Sequence, residues 1–169
     1  REWLQMGGNS LTVSLIGKIF PHTVIFTIVA FLYAVALYGF NSFPLNSGWL
    51  PMLSALFLRV IASQAVGIFM IGVLPTFRLG LSSACLFGMI AFSIVGFSFP
   101  VLGMDPTLQA LSNLFPLRHY FLIYVDQALN GRPFFYSWAE YAWLMGFLVL
   151  PFLIGKNLKN ALLYFKYIP

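Results

Sequence analysis

Residues 21–40 read PHTVIFTIVAFLYAVALYGF, a run of twenty residues that contains no Asp, Glu, Lys or Arg. A helix of about 20 apolar residues is long enough to cross the hydrocarbon core of a bilayer. Three further stretches have a suitable length and composition, namely residues 51–74, 80–99 and 137–155. The pattern predicts an all-α integral membrane protein with four spanning helices, forming a single transmembrane domain over 1–169.

The composition excludes an ordinary soluble domain. The 169 residues are 60% hydrophobic and 8% charged, whereas soluble domains are about 25% charged. The net charge of +5 does not indicate nucleic-acid binding, because the nine Lys and Arg are scattered along the chain. With Cys85 as the single cysteine, an internal disulfide and a cysteine-based metal cluster are also excluded.

The apolar region 107–130 differs from the four predicted spans. It contains a proline, Pro116, and three ionisable residues, Arg118, His119 and Asp126. Proline interrupts the hydrogen-bond ladder of a helix, and charges are costly in lipid. We therefore predict a re-entrant hairpin of two short helices, about 107–114 and 117–130, that enters one side of the membrane and returns.

Lysine and arginine concentrate on the cytoplasmic side of membrane proteins. Most of them fall in the N-terminal segment, the loop at 75–79 and the tail, as Arg1, Lys18, Arg78, Lys156, Lys159 and Lys166. The loop at 41–50 has no charge, and region 100–136 has as many acidic as basic residues. We therefore predict cytoplasmic termini and an external re-entrant region. Residues 11–20 are predicted to form an interfacial helix with Ser10 as its N-cap.

Polar side chains inside the apolar stretches are the candidate functional residues. These intramembrane residues are Arg59, Gln64, Asp126 and Glu140. Because an arginine inside a span needs a partner or water, we predict that Arg59 pairs with Asp126 or Glu140. The alternative is that it contacts substrate. Arg118 and His119 are predicted to share a helix face with Asp126, as polar anchors or as a proton-transfer or metal pair. No motif indicates a catalytic residue or a metal site.

Three motifs carry a resemblance to a known family. They are LIGKIFP at 15–21, SFP at 98–100 with GMDP at 103–106, and LQALS at 108–112 leading through FPL at 115–117 to NG at 130–131. Their order and spacing resemble those of ABC-2 permeases, the transmembrane subunits of type-2 ABC exporters. Two departures are Arg118-His119, where the family often has Thr or Ser, and Asp126, where it often has a basic residue. On the hairpin, the resemblance singles out Pro100, Met104, Pro106, Pro116, Arg118, His119 and Gly131.

The resemblance implies that the chain is the C-terminal part of a six-span permease. The four predicted spans would be the third to sixth, and a chain that starts at Arg1 rather than Met would be a fragment. Residues 1–20 would be a cytoplasmic coupling or interfacial segment, with coupling to the ATPase through Arg1, Glu2, Gly17 and Lys18. ATP and magnesium would bind to a separate ATPase, since no P-loop sequence occurs in the chain.

The resemblance therefore predicts the permease subunit of an ATP-driven exporter, without enzymatic activity or a cofactor of its own, in a bacterial inner membrane. Its partners would be an ABC ATPase, a second permease copy in a homo- or heterodimer, and membrane lipid. A periplasmic adaptor is a further candidate, and nucleic acid is not expected. Two alternatives stay open: a lipid-modifying membrane enzyme that uses His119 and Asp126, and a channel or scaffold subunit without an ATPase.

Overall fold

The computed structural model describes residues 10–74, 76–96 and 100–155, and these ranges contain helices, turns and loops but no strand. In chain order the α-helices are α1 (Leu11–Ala34), α2 (Trp49–Val73), α3 (Phe77–Ile94), α4 (Pro106–Ser112), α5 (Pro116–Ile123) and α6 (Phe134–Phe147). The π-helical segments Val35–Phe40 and Tyr124–Leu129 extend α1 and α5. The all-α prediction is confirmed for the described residues.

Three helical stretches are long and apolar enough to cross a membrane, namely Thr12–Phe40, Trp49–Val73 and Phe134–Gly155. They confirm spanning-length helices where the sequence predicts spans at 21–40, 51–74 and 137–155. The predicted span at 80–99 coincides with α3, a shorter apolar helix. Residues 97–99 lie outside the described part of the chain, so this fourth span stays a prediction.

The first spanning helix begins earlier than the sequence predicts. It starts at Leu11, with Ser10 in the predicted N-cap position, and it continues through Pro21. The predicted interfacial helix at 11–20 is therefore not separate from the first span. Proline removes the bond from its missing N–H to the Gly17 carbonyl and crowds that carbonyl, whereas ending the helix would leave about four carbonyls unpaired in apolar surroundings.

Helix α2 is the centre of the fold, since it packs against α1, α3, α5 and α6. Its buried face is rich in small and medium side chains, namely Met52, Ala55, Leu56, Ala62, Ala65 and Val66. Alanine and glycine allow close helix contact. Near the end of α2, a Cβ added to Gly72 would lie 2.2 Å from Cδ1 of Ile154 in the last spanning stretch. Small residues therefore bring the second and last spanning stretches close together.

Two short helices, α4 and α5, lie where the sequence predicts the hairpin, and the predicted break at Pro116 is confirmed. A re-entrant course for this segment, which we call the hairpin, stays a prediction. Helix α4 ends at Ser112, and Pro116 occupies the first position of α5. The ring of Phe115, at the break, lies 4.4 Å from that of Phe87 on α3, centroid to centroid. Seven residues of α4 rise about 10 Å, and the fourteen residues from Pro116 to Leu129 about 21 Å. Both lengths are shorter than the hydrocarbon core of about 30 Å.

The other end of the hairpin is attached to the loop between α1 and α2. The backbone N–H of Asn46 donates to the Ala128 carbonyl at 3.1 Å, and its side-chain amide donates to the Leu129 carbonyl at 2.8 Å. Tyr120, near the break, instead lies beside Arg59, ten residues into α2. The part of the hairpin that follows Pro116 therefore lies alongside α2, from the middle of α2 to its first turn.

We expect the loop that follows the hairpin to be external and the α2–α3 loop to be cytoplasmic. The test replaces the exposed residues Asn130 and Arg78 singly by cysteine, in a Cys85→Ser background because Cys85 is itself exposed. A membrane-impermeant maleimide should label Asn130→Cys in intact cells, and Arg78→Cys only after permeabilisation. The opposite pattern would invert the proposed orientation.

Candidate functional site

Arg59 lies near the middle of α2 and is partly buried. Its guanidinium carbon stands 5.0 Å from the centroid of the Tyr120 ring. Such a cation–π contact contributes about 0.5–2 kcal/mol, less than the roughly 2.5–3.5 kcal/mol that an arginine costs at the centre of a spanning helix. The predicted ion pair with Asp126 or Glu140 is wrong, because both carboxylates bind other residues. No carboxylate among the described residues lies within salt-bridge distance of Arg59.

Glu140 binds the imidazole of His119. Its Oε2 lies 2.6 Å from Nδ1, while Nε2 lies 2.9 Å from the carbonyl oxygen of Asn113. His119 is 2% exposed, and its ring stacks on that of Trp143 at 5.6 Å. Both ring nitrogens face oxygen acceptors, so Nε2 donates to Asn113 and one proton lies between Nδ1 and the carboxylate. This pair joins the first turn of α5 to the middle of α6.

Asp126 binds Arg132, which follows the hairpin. A guanidinium nitrogen of Arg132 lies 3.2 Å from Oδ1 of Asp126, and its backbone N–H donates to the Asp126 carbonyl at 2.9 Å. The predicted cluster of Asp126 with Arg118 and His119 does not form. Positions seven or eight residues apart share a helix face but lie about 10–12 Å apart along the axis, beyond the reach of a direct bond.

The side chain of Arg118, on α5, instead contacts the C-terminal end of α3. Its guanidinium donates to the Val95 carbonyl at 3.3 Å, and its Nε donates to the side-chain oxygen of Asn113 at 3.4 Å. The last carbonyls of a helix lack partners and carry partial negative charge. A cation at this position therefore stabilises the end of α3.

The motif residues at the beginning of the hairpin shape its backbone. Pro100 precedes a single 3₁₀ turn, Val101–Gly103, and Pro106 occupies the first position of α4. The side-chain amide of Gln109 donates to the Met104 carbonyl at 2.9 Å. Pro100, Met104 and Pro106 thus set the course of the chain into α4.

Two residues fix the ends of the hairpin by backbone geometry. Asp105 caps α4, since its carboxylate accepts from the Thr107 N–H at 2.9 Å. The Thr107 hydroxyl and N–H both donate to this carboxylate, which lowers the pKa of Asp105 below its ordinary value. Gly131 has φ of 64°, which suits a residue without Cβ. An added Cβ would lie 3.1 Å from Cβ of Asn46.

The four residues predicted to couple to the ATPase are only partly described. Arg1 and Glu2 lie outside the described residues. Gly17 and Lys18 lie on an exposed side of α1, and nothing approaches within 4 Å of a Cβ built on Gly17. This part of α1 has surface open to a partner.

Gln64 connects the polar side of α2 to α1. Its Oε1 lies 2.8 Å from the Thr23 hydroxyl, while its Nε2 has no hydrogen-bond partner among the described residues. Gln64 lines adjoining open cavities of about 600, 490 and 450 Å³. Arg59 and Ser63 line the last of these and a further cavity of about 390 Å³. We call the cavities lined by these three α2 residues the α2 groove.

Sequence reasoning did not identify Thr23 or Tyr120 as neighbours of the polar residues on α2. A signal for Thr23 exists in the short α1–α2 loop, across which Tyr38 meets Trp49 edge to face. Thr23 precedes Tyr38 by as many residues as Gln64 follows Trp49. Because α1 and α2 run antiparallel, this equal spacing places Thr23 opposite Gln64. Tyr120 has no such signal, because spacing along the chain does not fix how deep the hairpin reaches.

The comparison with known families agrees with this architecture. A family model described as ABC-2 family transporter protein matches residues 1–155. The chain therefore belongs to the ABC-2 family of transporter proteins, as its three motifs predict. No curated protein and no solved structure matched the chain. Family membership together with the apolar helices makes this a transmembrane transport protein of the permease type.

We expect Glu140→Leu to destabilise the protein by about 1–3 kcal/mol, because Nδ1 of the buried imidazole is left without a partner. Glu140→Gln should cost less, since its amide can donate to Nδ1 of a neutral imidazole. Thermal unfolding of the purified protein in detergent measures both changes. An equal loss of stability for the Leu and Gln variants would show that the His119 contact does not hold the hairpin.

Proposed function

We propose that the chain forms the membrane-spanning part of a permease in an ATP-driven exporter, with the substrate pathway between two copies. The observation that carries this proposal is the α2 groove. Arg59, Ser63 and Gln64 are polar side chains in a helix long enough to span the membrane, and they line open cavities. Polar residues within spanning helices mark substrate pathways in transport proteins.

Exposed apolar side chains on α1 and α3 support the proposal of a second permease copy. The two helices flank the α2 groove, and large side chains are exposed along both, including Phe26, Val29, Tyr33, Leu86, Met89 and Phe92. Lipid would accept these side chains, but lipid cannot provide a second wall for a polar pathway. A homo- or heterodimer would enclose the groove between copies.

Coupling to a separate ABC ATPase is proposed for the N-terminal end of α1. Gly17 and Lys18 are exposed there, and α1 starts on the same side of the bundle as the loop that contains Arg78, since α2 runs antiparallel to α1. In a bacterial inner membrane this side would face the cytoplasm, where ATP is available. Membrane lipid and a periplasmic adaptor are further proposed partners, and ATP with magnesium would bind on the ATPase.

The lipid-modifying enzyme is less well supported than the permease. That alternative needs His119 and Asp126 together, whereas His119 binds Glu140 and Asp126 binds Arg132. The described residues also contain no group of three His, Cys, Asp or Glu placed to hold a metal ion. A channel or scaffold would work without an ATPase, so dependence on an ATPase distinguishes the permease from this second alternative.

We expect the full-length gene product to co-purify with an ABC ATPase of the same organism and to stimulate its ATP hydrolysis in nanodiscs. Lys18→Gln should reduce this stimulation severalfold, because it changes the proposed contact surface. Arg132→Gln removes one positive charge at the other end of the bundle and should leave stimulation unchanged. Transport that continues without any ATPase would favour the channel instead.

A further inference from the structure

The geometry points to Arg59 as the binding site for the oxyanion head group of an anionic amphiphile, a phosphate or carboxylate on an apolar tail. This inference rests on the proposed transport function and names the class of substrate that the α2 groove accepts.

Among the residues that the structure describes, no carboxylate serves Arg59 as a counter-ion. The sequence contains four acidic residues, of which Glu2 lies outside the described part. Asp105 caps α4, Asp126 binds Arg132 and Glu140 binds His119. A guanidinium group stays ionised in proteins, so Arg59 retains a full positive charge, which faces the Tyr120 ring and lies near Tyr33. An anion entering the groove would supply the missing charge.

The depth of Arg59 requires that this anion enter the bundle. Arg59 follows Trp49 by ten residues and precedes Val73 by fourteen, which places it about 15 Å and 21 Å from the two ends of α2. Head groups at the membrane surface lie beyond the reach of one arginine side chain from this depth. A lipid-like head group that neutralises Arg59 therefore has to move into the α2 groove.

The cavity of about 450 Å³ beside Arg59 has the composition that such a molecule needs. Its polar groups can all donate hydrogen bonds and include no carboxylate, since they belong to Tyr33, Arg59, Ser63 and Gln64. Nε2 of Gln64 is buried beside this cavity and has no hydrogen-bond partner among the described residues. The remaining walls are apolar, formed by Phe26, Val29, Ala30, Leu56 and Val60. Donors around a cation suit an oxyanion, and the apolar walls suit an alkyl tail.

The test compares two fluorescent probes that share one dansyl-alkyl tail, dansyl-undecanoate with a charged head group and its methyl ester with a neutral one. The full-length gene product is placed in phosphatidylcholine nanodiscs without nucleotide, and binding is followed by energy transfer from tryptophan to dansyl, with empty nanodiscs subtracted. The acid should bind at least about tenfold more tightly than the ester, as expected for a charge-assisted hydrogen bond. Equal binding of acid and ester by the unmodified protein would overturn the inference.

Variants assign the preference to Arg59. Arg59→Gln should reduce the preference for the acid to within about twofold, whereas Arg59→Lys should keep part of it because the charge remains. Arg132→Gln, which removes an arginine from the loop, should keep the full preference. An Arg59→Gln protein that folds and still prefers the acid would assign the anion to another residue and overturn the inference. If Arg59→Gln does not fold, the contrast between acid and ester in the unmodified protein still decides.

Anionic lipid in the nanodiscs identifies the source of the head group. Displacement of the acid probe by phosphatidylglycerol would support a membrane phospholipid as the occupant, and no displacement would support an amphiphile other than the bulk lipid. Because the assay contains no ATPase, equal binding of the two probes leaves the proposed permease function standing. Conversely, failure to find an ATPase partner would count against the proposed permease function but would not change the measured preference for the acid probe.

Discussion

The break between α4 and α5 interrupts the helical hydrogen-bond ladder and leaves carbonyl groups without partners in their own helix. Here the first turn of α5 supplies the missing donors. His119 donates to the Asn113 carbonyl, and Arg118 donates to the Val95 carbonyl at the end of α3. The carboxylate of Glu140, on α6, binds the other nitrogen of the His119 imidazole. The architecture of the second half of the chain depends on this set of side chains.

The same bonds explain the departure from the family pattern at 118–119. Thr or Ser at these positions would mostly bond carbonyls of their own helix, because their hydroxyl groups stand one carbon from the backbone. Arginine and histidine reach across to neighbouring segments and carry more donors. The two polar residues that seemed available for chemistry are therefore engaged in holding the hairpin. This leaves Arg59 as the intramembrane charge that the fold does not neutralise.

The sequence predicted those features that depend on composition and on local backbone chemistry. Three spanning helices followed from length and hydropathy, and the break in the hairpin followed from Pro116, which cannot continue the hydrogen-bond ladder of a preceding helix. The start of the first span was predicted too late, because Pro21 costs only one bond in a helix that apolar surroundings otherwise favour.

The partners of the charges could not be predicted, because they depend on distances that sequence spacing does not fix. By sequence alone, Asp126 and Glu140 could each pair with Arg59, Arg118, His119 or Arg132. The actual pairs are set by how deeply the hairpin reaches beside α2. Asn46, whose two bonds hold the far end of the hairpin, has no distinctive sequence pattern. The α2 groove likewise arises from helices that approach each other in space.

The continuity of α1 has a mechanical consequence. A helix from Leu11 to Ala34 is a rod of about 36 Å, stiff against compression because each turn is hydrogen-bonded to the next. A push on its first turns is therefore delivered at its far end, where Tyr38 in the following π-helical turn rests against Trp49 at the start of α2. The bond missing between Pro21 and Gly17 makes that turn the most compliant part of the rod. A sideways load would bend α1 there first, close to the end where the load arrives.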